Sequence, residues 1–246
     1  VFLLAPAIQV ASYADEKRLE DAKEDVRNNP DDAKAHTSLG YTYAQSGKHQ
    51  EAIESFKQAV KIDPDNAFAH AGLGVAYGEL DKYEEAIKSH KQAIRIDPDF
   101  ALAHNGLGFA YYDSGKHQEA IESYKQAIKI NPDYAAAHFN LGLAYGESGR
   151  YEEAIESFKQ TIRIDPDDAE AHSNLGLAYS ESGRYEEAIE SYKQAIRFNP
   201  DFALAHYNLG LAYHQLNDRD SALEEYKILK SLDTEMANKL FNLINK

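Results

Sequence analysis

The chain has no cysteine and no tryptophan. Without thiols it has neither disulfides nor thiolate metal sites, and that absence fits any compartment. Basic charge is also scarce: 26 lysines and arginines stand against 41 acids, for a formal net charge of −15. Nucleic acid and anionic membrane surfaces recruit basic patches, so neither fits as the main partner. The balance favours a basic or neutral partner. Motifs are missing too. There is no glycine-rich phosphate loop, no nucleophile elbow, no HExxH and no Asn-x-Ser/Thr sequon.

Proline is sparse, and its placement is informative. Of seven prolines only Pro6 stands alone; Pro30, Pro64, Pro98, Pro132, Pro166 and Pro200 each lie 34 residues after the last, within Asp-Pro-Asp or Asn-Pro-Asp. A fixed period of that length marks a helix–turn–helix repeat array. Six units follow: 33–66, 67–100, 101–134, 135–168, 169–202 and 203–236. Counting from each opening alanine, position 7 is always Leu, 8 always Gly, 11 always Tyr and 20 always Ala. Position 24 carries a ring: Phe56, His90, Tyr124, Phe158, Tyr192 or Tyr226. Small residues at 8 and 20 let helices approach to about 8–10 Å between axes. Glycine inside a helix costs about 0.5–1 kcal/mol against alanine, so its repetition at position 8 implies a packing reason. Position 15 is Gly47, Asp81, Gly115, Gly149, Gly183 or Asn217, types that tolerate the left-handed turn ending a helix. The proline then ends the second helix, and a flanking Asp or Asn caps the next.

These repeated residues resemble the tetratricopeptide repeat family over residues 33–236. The resemblance implies an all-α, right-handed superhelical solenoid of antiparallel helix pairs. Two departures stand out: the family's frequent Trp at position 4 is His throughout, and Thr234 replaces the last proline.

The ends read differently. Residues 1–14 are uncharged and shorter than the roughly 20 a membrane-spanning helix needs. They read either as a signal remnant, with Ser12-Tyr13-Ala14 as cleavage site, or as a retained docking tail. The first reading implies export to the periplasm, envelope or exterior; the alternative is the cytoplasm. Residues 15–32, with Leu19, Ala22 and Val26 at helical spacing, form a degenerate half-repeat cap. Residues 235–246 form a C-terminal solvating helix with Met236, Leu240, Leu243 and Ile244 on one face.

Chemistry is not indicated. His36, His70, His104, His138, His172 and His206 form a column at position 4, one per repeat, too widely spaced to share a metal. The ring is expected to pack between repeats where the family has Trp. Acid pairs such as Glu152-Glu153 and Glu186-Glu187 sit where second helices begin, and the helix dipole accounts for them. No catalytic residue, metal or cofactor is expected, and the chain is read as a non-enzyme.

In the family, positions 2, 5, 6, 9, 12 and 13 of the first helix line the inner face. Carried over, position 9 is an apolar stripe of Tyr41, Val75, Phe109, Leu143, Leu177 and Leu211. Phe139 and Tyr207 join it at position 5, and Tyr112 at position 12. At position 6, Asn140, Asn174 and Asn208 could clamp a peptide backbone, since the amide both donates and accepts. Glu79, Asp113, Glu147 and Glu181 at position 13 form an acidic edge in the last turn of their helices, against the dipole preference. Only Lys34 is basic there, so an acidic C-terminus is not the expected ligand.

The resulting expectation is a scaffold that binds an extended apolar and basic segment of a protein or peptide partner, with no nucleic acid. Two alternatives remain: head-to-tail self-assembly through residues 1–14, and assembly of a membrane or envelope complex with that segment as anchor.

Overall fold

The computed structural model describes the main chain of residues 5–245 and the side chains from Asp15 to Asn245. Every regular element among the described residues is a helix. The chain forms two compact units, one ending at Ile130 and the other beginning at Asn131. The first holds α1 (Ala5–Asn28), α2 (Ala33–Gln45), α3 (His49–Ile62), α4 (Ala67–Gly78), α5 (Tyr83–Ile96), α6 (Ala101–Asp113) and α7 (His117–Ile130). The second holds α8 (Ala135–Glu147), α9 (Tyr151–Ile164), α10 (Ala169–Glu181), α11 (Tyr185–Phe198), α12 (Ala203–Gln215), α13 (Arg219–Leu232) and α14 (Thr234–Ile244).

Each even-numbered helix from α2 to α12 is a repeat's first helix and pairs with the odd-numbered one after it. The turn between them is set by position 15. Gly47, Asp81, Gly115, Gly149, Gly183 and Asn217 all have φ between 57° and 78°. The next amide then reaches back five residues, as in Lys48 N–H donating to the Tyr43 carbonyl at 2.9 Å. That satisfies a carbonyl the helix end leaves open.

The turn between repeats has a different logic. Asp63, Asp97 and Asn131 accept from the amide two residues on, at 3.1, 3.1 and 3.2 Å, and so close the turn around the proline. The residue just before the next helix does the capping. Asp32, Asn66 and Asp168 accept from a first-turn amide at 2.9 Å each. Phe100, Tyr134 and Phe202 occupy the same place in three other repeats and provide no side-chain cap. There the backbone carbonyl alone receives the amide three residues ahead, at 3.0 Å.

The histidine column latches this turn. Nε2 of His36, His70, His104, His138, His172 and His206 sits 2.9–3.1 Å from the carbonyl of the proline six residues earlier. As donor to a carbonyl, Nε2 carries the proton. Proline's own carbonyl is thereby satisfied without a helix to receive it.

Position 8 glycine faces the ring at position 24. A methyl group at Gly40, Gly74, Gly108, Gly142 or Gly176 would stand 2.5–2.7 Å from Phe56, His90, Tyr124, Phe158 or Tyr192. Those rings are nearly or fully buried, at 0–3 % exposure, so they cannot swing away. The last repeat differs. Gly210 meets Leu240 of α14 instead, and Tyr226 stacks on Phe241 with ring centroids 4.9 Å apart. The C-terminal helix thus supplies the wedge that a ring supplies elsewhere.

At the other end, Leu19 of α1 is buried and Val26 half-buried against α2, while Arg18 hydrogen-bonds Gln45. The helix containing this cap begins at Ala5, ahead of the charged segment. The readings placed on residues 1–14 (signal remnant, docking tail, anchor) concern side chains outside the described residues. No helix among the described residues is long and apolar enough to cross a membrane.

Candidate binding grooves

Two open grooves are built from the same repeat positions. In the first unit, a groove of about 250 Å³ lies between α4 and α6. Val75 and Phe109 are its apolar walls, with Leu102 beside them; they are 45 %, 46 % and 47 % exposed. Glu79 stands at its edge and the His90 imidazole of α5 forms its floor. In the second unit, a groove of about 430 Å³ lies between α8 and α10. Leu143 and Leu177 are the walls, Glu147 and Glu181 the acidic edge, Asn174 a polar contact and Phe158 of α9 the floor.

Glycine at position 12 opens both. Gly78 and Gly146 line the grooves, and a methyl group on either would meet nothing within 4 Å. Other repeats fill that place. Tyr112 packs edge-on against His117 with centroids 5.2 Å apart, and Ser180 lies 3.4 Å from the Tyr192 hydroxyl.

The floors differ in chemistry. His90 is 2 % exposed, wedged between Gly74 and Gly106, and its Nδ1 is buried without a hydrogen-bond partner. Burial lowers its pKa from 6.5 to about 4, so the ring is neutral at pH 7. Phe158 offers only a π face, backed edge-on by Phe139 at 5.7 Å.

Near the first groove, further acids interact with Glu79. Asp113 has its carboxyl pKa raised, first by burial and then by the charges of Asp81 and Glu79. The Asp81 carboxylate accepts from the Tyr83 hydroxyl at 2.7 Å, a bond that leads in pushing that hydroxyl's pKa up to about 12.

Of the residues expected on the inner face, Val75, Phe109, Leu143, Asn174 and Leu177 come together in these two grooves, with Glu79, Glu147 and Glu181. Asn174 donates to the Glu170 carbonyl of its own helix at 2.9 Å. Tyr41 lines another groove, of about 590 Å³, with Phe68, donates to the Phe68 carbonyl at 3.0 Å and packs edge-on against Phe56. Tyr207 and Leu211 pack on the cluster formed by Ala222, Leu229 and α14. Asn140 and Asn208 are half-buried and line neither groove. Sequence reasoning missed Phe68 and Leu102 at position 2, exposed at 59 % and 47 %. It also missed the open glycines and the ring floors. The signal for the glycines was their alternation with Tyr112 along position 12.

A family model described as the cilia and flagella-associated protein 70 C-terminal domain, a tetratricopeptide repeat model, matches residues 6–239. The chain belongs to the tetratricopeptide repeat family. Among solved structures, a MamA protein is 32 % identical, with a TM-score of 0.61 over 70 % of this chain and 93 % of MamA. PilF of Pseudomonas aeruginosa shares the fold at 22 % identity, with a TM-score of 0.74 over 85 % of this chain and 96 % of PilF. YrrB, described as a tetratricopeptide repeat protein with an unusual peptide-binding site, is 24 % identical, with a TM-score of 0.61 over 76 % of this chain and 96 % of YrrB. No curated protein sequence matches the chain. Tetratricopeptide repeat proteins are in general non-catalytic scaffolds, and membership of the family supports a protein-interaction scaffold here.

Proposed function

We propose that this scaffold holds an extended segment of a partner protein along the open faces of its first helices. Side chains of such a segment would enter the α4/α6 groove of the first unit or the α8/α10 groove of the second. The observation that carries this reading is that the same positions build an open groove twice. Each has apolar walls at position 9, an acid at position 13 and a glycine at 12. Exposed apolar side chains gathered in a concavity mark contact surfaces. The acidic edges favour basic residues in the ligand and fit the net charge of −15.

The test uses peptides selected from a random library on the wild-type chain, with affinity read by fluorescence anisotropy. Phe109→Ser or Leu177→Ser should weaken binding about tenfold, while Ile228→Ser, equally exposed but outside the grooves, should not. Equal affinities across the three variants would refute the reading.

A further inference from the structure

Resting on that reading, we infer that the α4/α6 groove is a specificity pocket for a lysine or arginine side chain of the bound segment. Position 24 is a phenyl or phenol ring in every repeat but one, and His90 is the exception. An imidazole there fills the same wedge between Gly74 and Gly106 and lines the open groove, while its Nδ1 is buried just beneath with no hydrogen-bond partner. A buried polar atom left unpaired costs about 1–3 kcal/mol, a cost a hydrogen-bond donor in the ligand would relieve.

The rim calls for the same donor to be positive. Glu79 lines the groove, and Asp81 and Asp113 lie near enough for their charges to act on one another. A cation entering here relieves that repulsion. The walls suit the rest of a long basic side chain: Val75, Leu102 and Phe109 present apolar surface to a methylene stem, as aliphatic stems require. Gly78 leaves room at the mouth. The α8/α10 groove shares the walls and an acidic edge but has Phe158 beneath, so it lacks the polar floor.

The experiment is amide NMR of the full chain, titrated with acetyl-Ala-Leu-Arg-Leu-Ala-amide and with the citrulline peptide of the same shape but no charge. The arginine peptide should shift the Gly78 and Gly106 amides and bind about tenfold more tightly than the citrulline one. Glu79→Gln and His90→Phe should each cut that preference to about threefold or less, His90→Phe keeping the ring type that neighbouring repeats accommodate. Gly78→Leu should abolish the Gly106 shift in a chain that stays folded, because the new side chain enters open space. Equal binding of both peptides at Gly78 and Gly106 would overturn the basic pocket and leave peptide capture standing. So would arginine binding only at Gly146, or a preference untouched by both Glu79→Gln and His90→Phe. Absence of shifts on α4, α6, α8 and α10 with either peptide would overturn both readings.

Discussion

The α4/α6 and α8/α10 grooves are two versions of one design with different floors. Walls, edge and opening come from positions 9, 13 and 12 in both. The floor comes from position 24 of the intervening second helix, His90 in one and Phe158 in the other. Because both rings fill the same wedge against a position 8 glycine, the repeat tolerates the exchange without rebuilding its core. The repeat therefore supplies the same kind of wall in both, and the ring beneath is where the two differ in chemistry.

The largest effect is expected from what the grooves share. Gly74→Val and Gly142→Val drive a side chain into His90 and Phe158, where even a methyl would stand 2.5 and 2.7 Å away. Each should cost about 3 kcal/mol in urea unfolding. A loss near zero would mean the floors are not wedged as described.

Exchanging the floors isolates what the grooves do not share. The His90 ring has a folded pKa near 4 against 6.5 for a free imidazole, so the unfolded chain takes the proton first. The stability it contributes is whole above pH 6.5 and declines as pH falls from 6.5 towards 4, by up to roughly 3 kcal/mol. His90→Phe should remove that slope from a urea midpoint series, and Phe158→His should introduce one in the second unit.

A second histidine provides a contrast of sign. His206 lies 2.6 Å from a Glu225 carboxylate oxygen while its other nitrogen meets the Pro200 carbonyl, and the hydrogen bond to Glu225 leads in raising its pKa. Its contribution is full below pH 6.5 and is lost as pH rises through the raised value. Glu225→Gln should cost about 1–2 kcal/mol at pH 6 and much less at pH 9, by the same unfolding assay. The smallest effect belongs to the groove mouth. Gly146→Ala meets open space and removes a helical glycine, so it should stabilise the second unit by about 0.5–1 kcal/mol.

The helices, their ends and the left-handed turn residues were legible because they depend on local spacing. The column of histidines was legible as one ring per repeat at position 4. Its bond to the proline carbonyl six residues earlier depends on how the Asp-Pro-Asp turn folds back, which no periodicity reports. Phe100, Tyr134 and Phe202 broke the expected capping rule because those repeats begin on a backbone carbonyl alone. In the grooves, Val75, Phe109, Leu143 and Leu177 followed from their place in the repeat. His90 did not, because a floor from another helix is invisible to a reading of one helix face. Nor did the packing of Tyr207 and Leu211 against the α14 cluster, which depends on how the last helix folds over its neighbours.

The central claim is that the open faces of the first helices receive the ligand. A crystal structure of the chain with a library-selected peptide tests it most directly. The account predicts an extended peptide with side chains seated at Gly78 or Gly146, against Val75 and Phe109 or Leu143 and Leu177. A peptide lying on the second helices, away from both grooves, would contradict it.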